Sequence, residues 1–296
     1  MLATASAANP GRQPVVGLGL GRFATDHTRG PPSEIPRMPR IHHLNAGLLH
    51  APPNPPAACH CLLLEGPDRL VLVDTGIGLR DVADPFDRVG RHAIEAAGFR
   101  FDPERAAHRQ IERLGLDPND VRDIVLTHGD PDHAGGLADF PHARVHVSAE
   151  EHAAIRGGHP RYSPPQFHHS PDWVTHDPSP RRRFDREVRP VDLGPAWEVA
   201  LVPLFGHTSG HCGVAVRRDD GRWLLHVGDA YYLRVELDTD DHPVSALAAH
   251  NAVDDAARRA SLEALRRLAR DGGDEIEMFG YHDFNEFPPG EPQGAA

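Results

Sequence analysis

His128-Gly129-Asp130-Pro131-Asp132-His133 is the stretch on which the reading of this chain turns. It follows Asp123-Ile124-Val125-Leu126-Thr127, an apolar run that reads as a short buried strand. It precedes Ala134-Gly135-Gly136-Leu137, where the backbone can turn into a helix. Imidazole and carboxylate hold borderline and hard divalent cations, and four such groups crowd this strand-to-helix corner. Positions 128 and 130 project together, while Asp132 and His133 point toward a neighbouring pocket, so one loop can serve two ions. A surface turn would also use Gly, Asp and Pro, but it does not call for four ligand-type side chains within six residues behind an apolar strand.

The chain around this corner has 296 residues, long enough for one large domain or two small ones. Its net charge of −12 offers no footprint for a phosphate backbone, which argues against nucleic acid as a partner. Every basic residue is Arg, a coding bias rather than a function. Three cysteines at 59, 61 and 212 form no disulfide framework, so a reducing, cytoplasmic location is expected. Cys59-His60-Cys61 leads straight into Leu62-Leu63-Leu64 and reads as strand packing, because a C-x-C pair without a second pair is a weak metal motif. No apolar run approaches the roughly 20 residues that span a bilayer, and the N-terminus lacks the pattern of a signal peptide.

Residues 1–37 carry Gly, Pro and Arg without periodicity and read as a disordered leader, with Met38 an alternative start. One domain is expected over 38–290. Within it, strands are read at 61–64, 69–73, 123–127, 144–147, 197–202, 212–216, 222–227 and 275–279. Helices are read at 103–115, from a capping box at Ser148-Ala149-Glu150-Glu151 to Arg156, and over Val253–Arg270 with Leu262, Leu265 and Ala269 on one face. The stretch 157–190 is proline-rich and irregular, and reads as an insertion that could wall a substrate. Arg156, His168 and His169 could reach a substrate from it, although their spacing does not require this. Strands gathered before and after central helices predict a layered α/β sandwich rather than a doubly wound sheet.

Three further ligand types stand just past strands: His207 in Gly206-His207-Thr208-Ser209-Gly210-His211, Asp229 in Val227-Gly228-Asp229-Ala230, and His282 in Gly280-Tyr281-His282-Asp283. With the corner at 128–133, and with Asp74 in Asp74-Thr75-Gly76 after an apolar strand, the series resembles the metallo-β-lactamase superfamily of binuclear hydrolases. The resemblance implies an αββα sandwich of two mixed β-sheets flanked by helices. It also implies two divalent ions, with zinc the first expectation and iron or manganese the alternatives. His128, Asp130 and His207 would hold the first ion, Asp132, His133 and His282 the second, and Asp229 would bridge them. Asp74 and His211 would stand behind the ligands and orient them.

Within the superfamily the motifs are most similar to N-acyl-homoserine lactone lactonases. Tyr232 matches a tyrosine that polarises the substrate carbonyl there, and Gly280-Tyr281-His282-Asp283 resembles their closing motif. The implied activity is hydrolysis of a small ester or lactone by a metal-bridging hydroxide, with Asp132 and Tyr232 as catalytic residues. No G-x-S-x-G elbow suggests a serine nucleophile. The one departure is Asp130, which stands where the family pattern carries a further His. It lowers the charge of the site by one unit and hardens it toward iron or manganese. The alternatives are a phosphodiester hydrolase, a diiron redox protein of the flavodiiron type, which has an acidic residue at that place, and a non-catalytic metal sensor. Against the redox reading, too little sequence follows His282 to hold a flavin domain. Nothing in the sequence specifies an oligomeric state.

Overall fold

Alternation along the strands decides how the layers stack, because successive side chains of a strand leave on opposite faces. In the computed structural model, which describes residues 40–289, Cys61, Leu63 and Leu72 enter one buried cluster, while Leu62, Leu64, Val71 and Val73 enter another. The leader expected over 1–37 and the alternative start at Met38 lie outside the described residues.

The first sheet is built from β1 (Arg40–Leu49), β2 (Ala57–Glu65), β3 (Leu70–Val73), β4 (Phe99–Arg100), β5 (Val121–Val125), β6 (Arg144–Ser148) and β7 (Asp172–His176), in the order β4-β1-β2-β3-β5-β6-β7. Pairing is antiparallel from β4 to β3 and parallel from β3 to β7. A two-stranded ribbon follows, β8 (Arg182–Arg183) with β9 (Arg186–Glu187). The second sheet orders β10 (Arg189–Val191), β11 (Val199–Pro203), β12 (Cys212–Arg217), β13 (Trp223–His226) and β14 (Ile276–Phe279) in sequence. Its last pair is parallel, and the helix Asp255–Asp271 lies in the connection between those two strands.

Val199 and Leu201 of β11 face the first sheet with Val214, Val216 and Leu224, while Ala200 and Val202 face Leu262 and Leu265 of that helix. On the far side of the first sheet, Leu63, Leu72 and Ile124 pack with Ile111 of the helix Ala107–Arg113. The order is therefore helix, sheet, sheet, helix, the αββα sandwich of two mixed sheets. Each fully buried leucine contributes about 1.5–3 kcal/mol of apolar transfer, so the middle layer supplies much of the driving force. Among the described residues no helix is long and apolar enough to cross a membrane.

Several elements differ from the sequence reading. β1 looks polar at His42-His43 and Asn45, yet His42 and Asn45 are buried there. The stretch 103–115 splits into a single turn at Pro103–Arg105 and the helix from Ala107. The stretch 157–190 contains β7, an edge strand parallel to β6, then the β8–β9 ribbon and the start of β10, and is irregular between them. In the helix Asp255–Asp271, Leu268 packs inward while Ala269 is exposed. Cys59 and Cys61 lie buried in the first cluster as strand residues, as expected.

Candidate metal centre

β3 and β5 are parallel neighbours that end side by side, so the residues just past them meet. Asp74, held at φ 55°, turns its carboxylate under the next loop. It accepts from the Thr127 amide at 2.7 Å, the Thr127 hydroxyl at 2.7 Å and His133 Nδ1 at 2.8 Å. The Thr127 proton is committed to Asp74, so the hydroxyl oxygen accepts from His128 Nδ1 at 3.0 Å. One buried carboxylate thereby fixes the tautomer of two histidines and leaves both Nε2 lone pairs facing inward. His282 Nδ1 donates to the Ala58 carbonyl at 2.8 Å, which frees its Nε2 likewise. His211 donates from Nδ1 to Leu204 and accepts the Asp229 amide at Nε2, 3.0 Å away, so it braces the backbone of Asp229.

The structure brings the seven ligand-type residues into two buried sets: His128, Asp130, His207 and Asp229, and Asp132, His133 and His282. Asp229 touches both, with Oδ1 at 3.3 Å from His133 Nε2 and Oδ2 at 3.4 Å from His282 Nε2 and 3.3 Å from His207 Nε2. In the second set Asp132 Oδ2 lies 3.8 Å from both His133 Nε2 and His282 Nε2. Four ligands at about 2.0 Å around a tetrahedral ion stand about 3.3 Å apart, so these spacings are those of a cation cage. His133 Nε2 of the second set and Asp229 Oδ1, which faces it, are buried without a hydrogen-bond partner, which is costly unless an ion completes them; His128 Nε2 of the first set is unpartnered as well. The second set therefore fits a divalent ion well.

The first set has equally short spacings, 3.1 Å from His207 Nε2 to Asp130 Oδ2 and 3.3 Å from His128 Nε2 to the same oxygen. It fits an ion less well, because a cation of the chain is already there. Arg161 grips Asp130 with both arms of its fork, Nε to Oδ1 at 2.6 Å and Nη2 to Oδ2 at 2.8 Å. Nη2 also lies 2.8 Å from His207 Nε2, which must accept from it. Asp130 begins the short helix Pro131–Ala134 at its N-cap but makes no side-chain cap, since the guanidinium takes its carboxylate.

Burial alone would raise the Asp130 carboxyl, but the Arg161 charge outweighs it and holds the group well below the carboxylate range. Burial, reinforced by neighbouring His133, pushes His128 down to about 4, so it stays neutral and ligand-competent. Burial raises Asp132 against the pull of His133 and His282, with Asp229 nearby adding to the rise. Tyr232 lies beside both sets, its ring 5.9 Å from His207 and 5.3 Å from His282. Burial, with Asp229 next, holds its phenol well above the ordinary value and therefore protonated.

Two residues that organise the site escaped the sequence reading. Arg161 sits in the aperiodic 157–190 stretch, and its only signal was that an Asp in place of a His asks for a compensating cation. Glu151 was read as half of a capping box. Ser148 does cap the Glu151 amide at 3.1 Å, but the Glu151 side chain turns inward instead. It accepts from the Gly129 amide at 2.9 Å and Tyr162 at 2.8 Å on one oxygen, and from Thr208 at 2.5 Å and the Gly210 amide at 3.2 Å on the other. One carboxylate thus joins the 128–133 loop, the 206–211 loop and the segment carrying Arg161. His168 and His169 enter neither ligand set.

This fold and these paired ligand sets define a class: the chain belongs to the metallo-beta-lactamase superfamily, whose pattern matches residues 54–276. Among its relatives, a probable metallo-hydrolase of Mycobacterium tuberculosis is 44% identical over 252 residues, covering 77% of this chain and 76% of that protein. The N-acyl homoserine lactonase AttM of Rhizobium johnstonii is 26% identical over 187 residues, 57% of this chain and 64% of that one. A crystal structure of an N-acyl homoserine lactone hydrolase, with the product N-hexanoyl-L-homoserine at its catalytic metal centre, shares the fold with a TM-score of 0.65. That match has 18% identity and covers 85% of this chain and 96% of the other.

Proposed function

We propose that this chain is a metal-dependent hydrolase of a small ester or lactone. The observation that carries the reading is the convergence of unpartnered His128 Nε2, His133 Nε2 and Asp229 Oδ1 in one buried centre, with the Tyr232 phenol beside it. The lactonase relatives and neighbours support the choice of a carbonyl substrate. Divalent ions in the two sets, zinc first and iron or manganese next, would polarise that carbonyl and acidify the attacking water.

The residues of the chain supply the rest. Asn251 Nδ2 lies 3.3 Å from the Tyr232 hydroxyl and donates to it, so the phenolic proton is free for the carbonyl oxygen. That hydrogen bond strengthens as negative charge builds on the oxygen. Asp132, whose Oδ2 lies 3.8 Å from both His133 Nε2 and His282 Nε2, would accept the proton of the attacking water and return it to the leaving alkoxide. Tyr281 keeps this geometry: its ring stacks on His133 at 3.7 Å and its hydroxyl donates to the Asp132 carbonyl at 2.7 Å.

The test is a chelated and desalted sample assayed on lactones, aryl esters and a phosphodiester, then reloaded with metal. Lactone turnover that vanishes on chelation, returns on reloading and is absent in Asp229→Ala is the expected result. Phosphodiester turnover without lactone turnover would transfer the reading to phosphoryl chemistry. Bound iron with an oxidation-linked visible band and no ester turnover would replace hydrolysis with redox chemistry.

A further inference from the structure

We propose that Arg161 is the resident cation of the first ligand set, so that the chain holds one ion firmly, among Asp132, His133, His282 and Asp229, and admits a second only when the guanidinium gives way. The inference rests on reading the site as a metal centre, and it concerns how the two sets differ.

The geometry is that of a built ion pair. Both oxygens of Asp130 are engaged by the fork, and Arg161 Nη2 bridges Asp130 Oδ2 and His207 Nε2 at 2.8 Å each, two of the atoms a first ion would join, while His128 Nε2 of the same set stays unpartnered. A nitrogen lone pair that accepts an N–H cannot ligate an ion at the same time. Arg161 is also anchored from behind: Nη1 donates to the Asn251 carbonyl at 2.6 Å, and neighbouring Tyr162 is tied to Glu151. Its side chain is only 16% exposed, so water does little to weaken the pair.

Charge points the same way. Arg161 already neutralises Asp130, so an ion entering the first set would meet a cation beside it and only Asp229, shared with the second set, as a further carboxylate. Asp130, where the family pattern has a neutral imidazole, and Arg161 are thus one exchange: a carboxylate replaces a neutral ligand, and an internal cation takes the place of an ion.

The experiment is a titration of the full chelated protein with Co2+ alone, with bound ions counted by native mass spectrometry and their geometry followed by visible absorption. Wild type is expected to bind one equivalent tightly and the second about 100-fold more weakly. Arg161→Met, which keeps the stem and removes the charge, should tighten the second equivalent by about 10- to 100-fold, the size of effect that partners of metal ligands exert. Arg161→Gln, which keeps a hydrogen-bonding side chain without the charge and leaves every ligand in place, should do the same, so it decides the matter if Arg161→Met does not fold. Two equivalents bound equally by wild type, or a second equivalent as weak in both variants as in wild type, would overturn the inference and leave the metal-centre reading intact. No cobalt bound by wild type would overturn both.

Discussion

Glu151 is the residue whose loss should be felt most widely, because three segments of the site hang on its carboxylate. Each oxygen accepts one backbone amide, Gly129 on one and Gly210 on the other, and one hydroxyl, Tyr162 and Thr208 respectively. A hydroxyl can turn to accept, but an amide N–H cannot. In Glu151→Gln the side-chain NH2 must therefore confront one of the two backbone amides, whichever way it sits. One buried donor is left facing another, a cost of about 1–3 kcal/mol. Glu151→Ala leaves all four donors without an acceptor, and the loss should reach about 3–5 kcal/mol, the range for breaking a buried charged network. Urea unfolding of chelated wild type and both variants measures these differences without any contribution from bound ions, and cobalt titration should show weakened uptake in each. Stability of Glu151→Gln within about 0.5 kcal/mol of wild type, the scatter of inert surface changes, would refute the claim that this carboxylate holds the loops.

Three other outcomes follow from single features. Tyr232→Phe should lower kcat on a lactone by about 100-fold, the cost of one oxyanion donor, with KM and Tm little changed; equal kcat would remove Tyr232 from the chemistry. Gly206→Ala should destabilise by roughly 2–4 kcal/mol, since its φ is +129° and a Cβ would lie 2.0 Å from the Arg258 amide nitrogen; a circular-dichroism melt checks it. Burial, then the nearby His226, pushes His43 down from 6.5 to about 4. The unfolded chain takes up that proton in this window and the folded chain does not, so stability falls as pH drops from 6.5 toward 4. His43→Asn should flatten that slope by about 1–2 kcal/mol, discounted for partial exposure, in urea melts at pH 7 and pH 4.5.

The layers were readable because buried strands announce themselves by apolar runs, as Leu70 to Val73 and Val199 to Val202 do. The seven ligand types were readable because each follows such a run. β1 was hidden by His42, His43 and Asn45, polar residues buried through partners distant in sequence; His42 pairs with Glu65 and His43 with His60. Arg161 was hidden for the same reason, since its carboxylate partner lies 31 residues earlier and no periodicity marks the segment. Glu151 shows a local signal that was correct for the backbone and silent on the side chain. Ser148 caps the helix as the sequence suggests, while the glutamate answers to loops that only the fold brings near.

His282 follows β14, the last strand, which reaches its place beside β13 only after the helix Asp255–Asp271 has crossed over. Six of the seven ligand types leave the ribosome by residue 229, but the cage lacks a wall until this final parallel pairing forms, and parallel pairing across a long connection is slow. An ion held by the second set would therefore be captured late in the life of the chain, after synthesis. Fraying of that one strand should open the second set before the rest of the sandwich opens.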